Sequence, residues 1–328
     1  MAGKKRILSG MRPTGPLHLG NLFGALDNWI KMQDEYDCFF FIADWHALTS
    51  DYEDPDNIKR YIDHVMIDWL STGLSPEKST LFVQSHIKEH AELFLILSMI
   101  TPVPWLERNP TYKEQIVQLS NKDLSTFGFL GYPVLQAADI IIYKADGVPV
   151  GVDQIPHVEI TREIARRFNH LYGEVFPEPE VILTKTPKIL GIDRRKMSKS
   201  YNNAIFLSDS PDEIASKVSQ MITDPQRARR SDPGNPDVCN VFEFHKTYSN
   251  KETVDAINRD CRIAQIGCVD CKKIMAQNLI KALEPVREKR KFYEQHPDLV
   301  TQIIEDGCHK ARMVAKKTLE EVRAAINI

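Results

Sequence analysis

The segment "RILSGMRPTGPLHLGN", residues 6–21, joins a short apolar run to a turn and then to the start of a helix. The apolar run, "RILSGM" (6–11), has the composition of a buried strand. Gly15 and Pro16 form the turn, and Gly20 lets a ligand approach the backbone closely because glycine has no Cβ. A strand that ends in such a turn predicts a binding crevice at the carboxyl edge of a parallel sheet.

The first two hundred residues alternate apolar strands and helical patterns in this way. Strands are predicted at "CFFFIADWH" (38–46) and "TLFVQS" (80–85), and helices from about Gly20 to Glu35 and from Pro55 to Thr72. Gly73 follows the second helix, in the position that favours glycine. Because strand–helix–strand connections give parallel pairs, we expect an α/β fold with a Rossmann-like, doubly wound parallel sheet over residues 1–203.

Beyond residue 203 the pattern is helical. "SDSPDEI" predicts a capping box, with Ser210 as the N-cap and Glu213 at the third helical position. One face of the last predicted helix carries Ala311, Ala315, Leu319, Val322 and Ile326. We therefore expect an all-helical domain over residues 204–328, whose last helix either stays with it or packs back on the first domain.

Composition narrows the class of protein. The chain has 328 residues, 42% hydrophobic and 27% charged, which is ordinary for a globular protein of two domains. The N-terminus has no apolar signal segment and no apolar run is long enough to span a bilayer, so we expect a cytoplasmic protein without a membrane partner. The net charge of −3 means that any RNA contact requires local basic patches.

Two polar segments suggest a site for a polyanion. In "RKMSKSYNN" (195–203), Lys196 and Lys199 bring two ammonium groups to a polar stretch with no core-forming run. In "HLGN", His18 and Asn21 are three residues apart, so a first helical turn points both to the same side, at a helix start that suits phosphate. Each segment alone is also compatible with a solvated lysine pair or with a tight turn whose histidine bonds a neighbour.

Together, "HLGN" and "KMSKS" resemble the paired signatures of the class I aminoacyl-tRNA synthetases. "KMSKS" matches letter for letter, and "HLGN" stands where that family has His-Ile-Gly-His, so Asn21 keeps an amide donor there. The resemblance implies ATP and Mg²⁺, with catalysis by positioning and by stabilising charge on the departing pyrophosphate. The implied catalytic residues are Lys196, Lys199, His18, Asn21 and Lys113. The implied ATP-binding residues are Arg12, Pro13, Thr14, Gly20, Asn21, Gly151, Val152, Asp153, Ile189, Lys196, Met197, Ser198, Lys199 and Ser200.

A third segment, "YPVLQAADIIIY", carries an unusual polar stripe. Read as a helix that begins near Pro133, it places Tyr132, Gln136, Asp139 and Tyr143 on one side. A carboxylate is costly to bury without a donor partner. An arginine partner, or exposure of Asp139 to water, is the plainer alternative.

"AADIIIY", "VPVGVDQ" and "ADWHALT" are similar to segments of the bacterial tryptophanyl-tRNA synthetases. The resemblance implies that Asp139 accepts the indole N–H of tryptophan, which is activated with ATP and transferred to its tRNA by a homodimer. The other tryptophan-binding residues it implies are Tyr132, His46, Leu8, Val148 and Val150 around the indole, with Gln154 and Gln136 at its polar end or at the pocket edge. Val152 stands where many relatives have Glu, and Gln136 stands where some relatives have Met.

Three other functions compete with this interpretation. Tyrosyl-tRNA synthetase shares both signatures and often has a Gln-Ala-x-Asp run, but "VGVDQ" followed by "HVEITREIARRF" favours tryptophan. A nucleotidylyltransferase would need no helical domain of this size. A non-catalytic RNA-binding paralogue would have no need of both intact signatures.

Four cysteines follow the pattern C-x21-C-x6-C-x2-C: Cys239, Cys261, Cys268 and Cys271. In a cytosolic chain this spacing is typical of a metal site, for zinc or for an iron–sulfur cluster; four unligated thiols are the alternative. A subset of the tryptophanyl-tRNA synthetases, with one more residue in the first gap, implies a structural [4Fe–4S] cluster. The basic stretch 272–291 beside it would contact tRNA, whereas Cys38 is expected in the core and Cys308 in a helix.

Overall fold

The computed structural model describes residues 3–118, 122–184 and 189–328. The chain forms two compact units. The sheet unit comprises Met1–Gly15, Asp27–Thr186 and His296–Ile328, and the helical unit comprises Pro16–Leu26 and Pro187–Gln295. By compactness, both the HLGN and the KMSKS segments therefore belong to the helical unit. The boundary predicted at residue 203 separates a catalytic domain from a tRNA-binding domain by function, not by compactness, and it stays a prediction.

Five parallel strands form the sheet: β1 (Arg6–Met11), β2 (Asp37–Ile42), β3 (Ser79–Val83), β4 (Gly147–Val150) and β5 (Glu180–Leu183). Their order is β3-β2-β1-β4-β5, with β1 in the centre. The register pairs Leu8 with Phe39 and Ile7 with Gly147. Because the chain moves outward from β1 in both directions, the predicted doubly wound parallel sheet is confirmed.

Helices and short turns complete the sheet unit. Its α-helices are Asp27–Met32, Asp44–Asp51, Pro55–Thr72, Glu89–Ile100, Val103–Glu107, Pro110–Gln118, Phe127–Ile141, Ile155–Tyr172 and Pro297–Ile326, and its 3₁₀ turns are Gln84–His86 and Val152–Gln154. Gly73 ends helix Pro55–Thr72 with φ of 119°, as its position predicts. Trp29 stacks on Phe40 in the core, with ring centroids 4.6 Å apart. None of the helices in the described part of the chain combines the length and the apolar composition of a membrane span.

The strand predicted at 38–46 is shorter in the structure. It ends at Ile42, and Asp44–Asp51 is a helix, so His46 lies on a helix instead of a strand. The Asp44 carboxylate explains this change, because its Oδ1 accepts hydrogen bonds from the amides of Trp45 and Ser85, both at 3.0 Å. An acceptor in the first turn of a helix is favourable there and would be out of place in a buried strand.

Two further boundaries differ from prediction. The third strand ends at Val83, before a 3₁₀ turn. The helix predicted from Pro133 begins at Phe127, because the Thr126 hydroxyl caps it by accepting the amide hydrogen of Phe129 at 3.2 Å. Pro133 therefore lies inside this helix, and Tyr143 lies just beyond its end.

The helical unit contains the α-helices Leu19–Asn21, Pro211–Ser219, Asn240–Tyr248, Lys251–Arg262 and Cys268–Gln295, the π-helical segment Leu22–Leu26, and the 3₁₀ turns Lys199–Tyr201 and Pro236–Val238. The π segment interrupts the helix predicted from Gly20 to Glu35. The predicted capping box is present, since the Glu213 amide donates to Ser210 Oγ at 3.3 Å and the Ser210 amide donates to Glu213 Oε2 at 2.8 Å. Helix Pro211–Ser219 packs on helix Cys268–Gln295.

The last helix, Pro297–Ile326, belongs to the sheet unit and packs directly on the edge strand β3. Ala311, Ala315, Leu319 and Val322 of the predicted apolar face are buried, and Ile326 is half-buried. Gly307 permits the close approach, because a Cβ at this position would lie 1.7 Å from the Leu81 carbonyl oxygen. Cys308 is in this helix and Cys38 is buried in β2, as predicted.

Candidate active site

The HLGN turn is organised by reciprocal hydrogen bonds. The His18 Nδ1 accepts from the Asn21 amide at 3.2 Å, and the Asn21 Oδ1 accepts from the His18 amide at 3.0 Å. Burial, and then the positive charge of Lys199, lower the pKa of His18 to about 4. The ring is therefore neutral near pH 7, and since Nδ1 accepts, its proton is on Nε2. His18 thus keeps one N–H to donate.

The two signatures lie against each other within the helical unit. A Cβ on Gly20 would lie 3.5 Å from the Cβ of Met197, the buried centre of KMSKS. The Leu19 amide donates to the Ile205 carbonyl at 3.0 Å, which ties the HLGN turn to the chain just past KMSKS. Lys196 contributes to the lowered pKa of His18 as well. The structure thus brings together cationic and neutral donors that are separated by nearly two hundred residues in sequence.

Asn203 shapes the KMSKS segment, and sequence inspection did not single it out. It is 1% exposed; its Oδ1 accepts from the Ser198 amide at 2.8 Å, and its Nδ2 donates to the Lys196 carbonyl at 3.1 Å and to Asp193 Oδ1 at 2.7 Å. Lys196 is exposed. The backbone of Lys199 begins the 3₁₀ turn Lys199–Tyr201, and the side chain of Ser200 lies outside the described part.

Most of the other residues predicted to bind the nucleotide lie just after strands of the sheet unit; Lys113 and Ile189 do not. Arg12, Pro13 and Thr14 come directly after β1, and Gly151, Val152 and Asp153 come directly after β4. Because β1 and β4 are neighbouring parallel strands, the two segments share the carboxyl edge of the sheet. Arg12 Nη1 donates to Ser50 Oγ at 3.3 Å. Lys113 is exposed on helix Pro110–Gln118, and Ile189 is half-buried in the helical unit.

Asp139 is completely buried in the sheet unit, and its carboxylate is surrounded by donors. Oδ1 contacts His90 Nδ1 at 2.6 Å, Oδ2 contacts His46 Nε2 at 2.7 Å, and Gln84 Nε2 donates to both oxygens at 2.7 and 2.8 Å. Burial opposes ionisation, but the hydrogen bonds from His46 and His90 outweigh it, so the pKa of Asp139 lies below its usual value. The predicted donor partner therefore exists, and it is a set of histidines and an amide instead of an arginine.

His90 is held from its other side by Tyr143. The Tyr143 hydroxyl lies 2.6 Å from His90 Nε2, and both side chains are fully buried. Burial raises the pKa of Tyr143 well above its usual value, so the hydroxyl keeps its proton and donates it to Nε2. His90 then donates from Nδ1, and Asp139 only accepts. Gln84 and His90 were not predicted, because nothing in the local sequence links them to a residue about fifty positions away.

The other predicted tryptophan-binding residues line the same unit. Leu8 and Val148 are buried on β1 and β4, while Val150 and Gln136 are half-buried. The Tyr132 hydroxyl lies 2.9 Å from His157 Nε2, and His157 Nδ1 lies 2.9 Å from Gln154 Oε1. The structure thus joins two predicted residues through a histidine that the sequence did not single out.

The four cysteines of the C-x21-C-x6-C-x2-C pattern converge in the helical unit. Burial, followed by the influence of the other three thiols, raises the pKa of Cys271 to about 12. Arg227 Nη1 lies 3.8 Å from Cys261 Sγ and 3.9 Å from Cys268 Sγ. Among residues 3–118, 122–184 and 189–328, no three His, Cys, Asp or Glu side chains are arranged to hold a metal ion.

Comparison with known proteins agrees with this architecture. Residues 2–284 match the family described as tRNA synthetases class I (W and Y). The chain is 55% identical over 325 residues to a tryptophan–tRNA ligase of Thermotoga maritima, covering 98% of this chain and 99% of the relative. It is 48% identical over 393 residues to that of Aquifex aeolicus, covering 98% and 100%.

A solved structure is also similar. The tryptophanyl-tRNA synthetase of Campylobacter jejuni, complexed with ADP and tryptophan, has a TM-score of 0.92 and 33% identity over 98% of this chain and all of that one. Fold, signatures and relatives together define a class of enzyme. The chain belongs to the class I tRNA synthetases of the tryptophan and tyrosine group.

Proposed function

We infer that this chain is a ligase that joins L-tryptophan to its tRNA in protein synthesis. The observation that carries this function is the packing of Gly20 in HLGN against Met197 in KMSKS, which assembles both signatures in one place. In the first step, a carboxylate oxygen of tryptophan attacks the α-phosphorus of ATP, and the bond to the β-phosphate oxygen breaks. Pyrophosphate then leaves, and Mg²⁺, when bound, would offset part of its negative charge. The acyl group of tryptophanyl-adenylate then passes to a ribose hydroxyl of the tRNA and AMP leaves.

Lys196 and Lys199 stabilise the charge that develops on pyrophosphate, and the neutral His18 donates Nε2–H to a phosphate oxygen. Lys113 adds a further cation, and Asn21 fixes the turn that carries His18. The residues after β1 and β4, Arg12–Thr14 and Gly151–Asp153, bind the nucleotide. Because this charge develops only as the bond to pyrophosphate breaks, the contribution of the two lysines is expected in the chemical step.

Asp139 recognises tryptophan by accepting the indole N–H. His46 has a 12% exposed side chain and is the partner of Asp139 that shares it with the ligand, whereas His90 and Gln84 are fully buried. A phenol both donates and accepts, so a carboxylate that only accepts favours indole over tyrosine. Leu8, Val148 and Val150 surround the ring.

Amino-acid-dependent ATP–pyrophosphate exchange tests this function. We expect exchange with tryptophan and none above background with tyrosine or without an amino acid. Exchange with tyrosine alone would transfer the specificity to the rival substrate. Absence of exchange with every amino acid would refute the proposed synthetase activity.

The four cysteines are proposed to hold a structural [4Fe–4S] cluster, with zinc as the alternative. Two observations support this proposal: the other three thiols influence the pKa of Cys271, and the Arg227 guanidinium beside two of the cysteines would balance thiolate charge. Iron, sulfide and zinc analysis of anaerobically purified protein distinguishes the two. Stoichiometric iron with visible absorbance is expected, its loss in Cys271→Ala is the control, and a metal-free native protein would contradict the site.

Partners follow from the reaction and from the family. The helix Cys268–Gln295 carries all seven lysine and arginine residues between 272 and 291, and we propose that it contacts the anticodon region of the tRNA. We also propose that the protein is a homodimer and that it is located in the cytoplasm, as the family suggests. Sedimentation of the purified chain tests the dimer, and a monomer at micromolar concentration would contradict it.

A further inference from the structure

A row of hydrogen-bonding side chains leads from the candidate tryptophan site to the turn after β4. Tyr132 contacts His157, His157 contacts Gln154, and Gln154 Nε2 donates to Asp153 Oδ2 at 3.0 Å. All four residues belong to the sheet unit, and His157 is 2% exposed on helix Ile155–Tyr172. No role in the proposed reaction has yet been given to His157.

The carboxylate at one end of the row fixes the direction of every hydrogen bond. Asp153 only accepts, so Gln154 turns its NH₂ group to Asp153 and its oxygen to His157. That oxygen only accepts, so His157 carries its hydrogen on Nδ1. The Nε2 atom then holds a lone pair, and the Tyr132 hydroxyl must donate to it. Tyr132 consequently has only lone pairs left for any other partner.

The protonation states agree with this direction. Burial, with a smaller contribution from His46, lowers the pKa of His157 to about 4, so the ring is neutral near pH 7. Burial raises the pKa of Tyr132, so the phenol keeps the hydrogen that it donates. A ring that donated from Nε2 would reverse the last bond and turn the Tyr132 hydrogen towards the ligand.

We propose that His157 is a positioning residue that fixes the Tyr132 hydrogen, so that the hydroxyl oxygen accepts from the ammonium group of the bound amino acid. This inference rests on the proposed function and deepens it. An ammonium group only donates, and therefore needs acceptors around it. The row supplies one such acceptor and links its orientation to the turn that is proposed to bind ATP.

Three substitutions separate the two bonds of the ring. His157→Gln can keep an acceptor where Nε2 faces Tyr132, His157→Asn keeps only a donor near Nδ1, and His157→Ala keeps neither. In pyrophosphate exchange we expect the KM for tryptophan to rise about 10- to 100-fold in the Ala and Asn variants, the usual cost of a lost hydrogen bond to a charged group. His157→Gln should stay within about threefold of the native KM, and kcat should change little in all three.

Two competitive inhibitors distinguish positioning from a general structural effect. Tryptamine has the ammonium group without the carboxylate, and indole-3-propionate has the carboxylate without the ammonium group. His157→Ala should weaken tryptamine about tenfold or more and leave indole-3-propionate within about twofold. Adding Tyr132→Phe to His157→Ala should cause no further loss for tryptamine.

Equal weakening of both inhibitors, or identical KM values for the Gln and Asn variants, would overturn the role of His157. Thermal unfolding of each variant checks the fold, and if the Ala variant is unstable the Gln and Asn pair still decides. A native chain with no tryptophan-dependent exchange would refute the proposed function itself. Native exchange combined with equal inhibitor losses would refute only the positioning role.

Discussion

At the scale of single residues, the candidate site depends on side chains whose hydrogen bonds leave them one chemical role. Asp139 only accepts, because the hydrogen bonds from His46 and His90 lower its pKa and keep the carboxylate ionised. His18 is held neutral by burial and by the nearby lysines, so it donates from one nitrogen. An acceptor such as Asp139 suits an indole, which only donates, better than a phenol, which also accepts. A neutral donor such as His18 can form a hydrogen bond to a phosphate oxygen without adding a further positive charge.

Asp139→Asn should therefore damage tryptophan recognition first. The amide replaces one acceptor oxygen by a donor, which would face His46 or His90 and remain unsatisfied in a buried place. We expect the KM for tryptophan in pyrophosphate exchange to rise about 10- to 100-fold, with the KM for ATP within about threefold. A folded variant with the native KM for tryptophan would contradict the assignment of Asp139.

Sequence patterns reach some of these residues and miss others for a physical reason. Lys196, Lys199, His18 and Asp139 stand in short local motifs or on one helical stripe. Gln84 and His90 do not, because their role comes from contacts across about fifty residues that only the folded sheet creates. Buried second partners of this kind carry little local sequence signal.

At the scale of elements, the KMSKS segment shows how an irregular stretch keeps a defined shape. It has few regular backbone pairs, and the buried Asn203 side chain supplies three hydrogen bonds to its backbone and to Asp193. The backbone of the segment is thus held by a buried side chain, while the side chain of Lys196 stays exposed. This arrangement allows the lysines to be positioned without being buried.

Asn203→Ala should slow the chemistry more than it destabilises the protein. It leaves the Ser198 amide and the Lys196 carbonyl without this partner, at a cost of about 1–3 kcal/mol per buried group. We expect kcat for exchange to fall about 10- to 100-fold. The adjacent Asn202 is exposed with φ of 50°, so Asn202→Gly is the matched control and should retain native kcat. Equal effects at both positions would contradict the role of Asn203.

The elements themselves were predicted unevenly. Helix Pro55–Thr72 and strand β1 have the predicted bounds, because apolar periodicity and a terminal glycine mark them clearly. The second strand was extended by several residues into a helix, since the apolar run continues past the point where Asp44 accepts two backbone amides. Local periodicity contains no information about these contacts, one of which comes from Ser85.

At the scale of the whole molecule, the sheet unit is held by close packing between the last helix and β3. Gly307→Ala places a methyl group against the Leu81 carbonyl, so the last helix must move away from β3. We expect the free energy of unfolding, from urea denaturation, to fall by about 1–3 kcal/mol. Gly128 is also helical but has open space, its nearest neighbour being Thr126 Oγ1 at 4.0 Å, so Gly128→Ala should leave stability unchanged or raise it. A Gly307 variant as stable as the Gly128 variant would contradict this packing.

The whole account depends on the lysines of KMSKS acting on the phosphates of ATP during tryptophan activation. The most direct test is the single-turnover rate of pyrophosphate release with saturating ATP and tryptophan, compared between the native chain and Lys199→Ala. We predict a rate about 10²- to 10³-fold lower in the variant, as for loss of one transition-state donor. A variant rate within about threefold of the native rate would contradict the assignment.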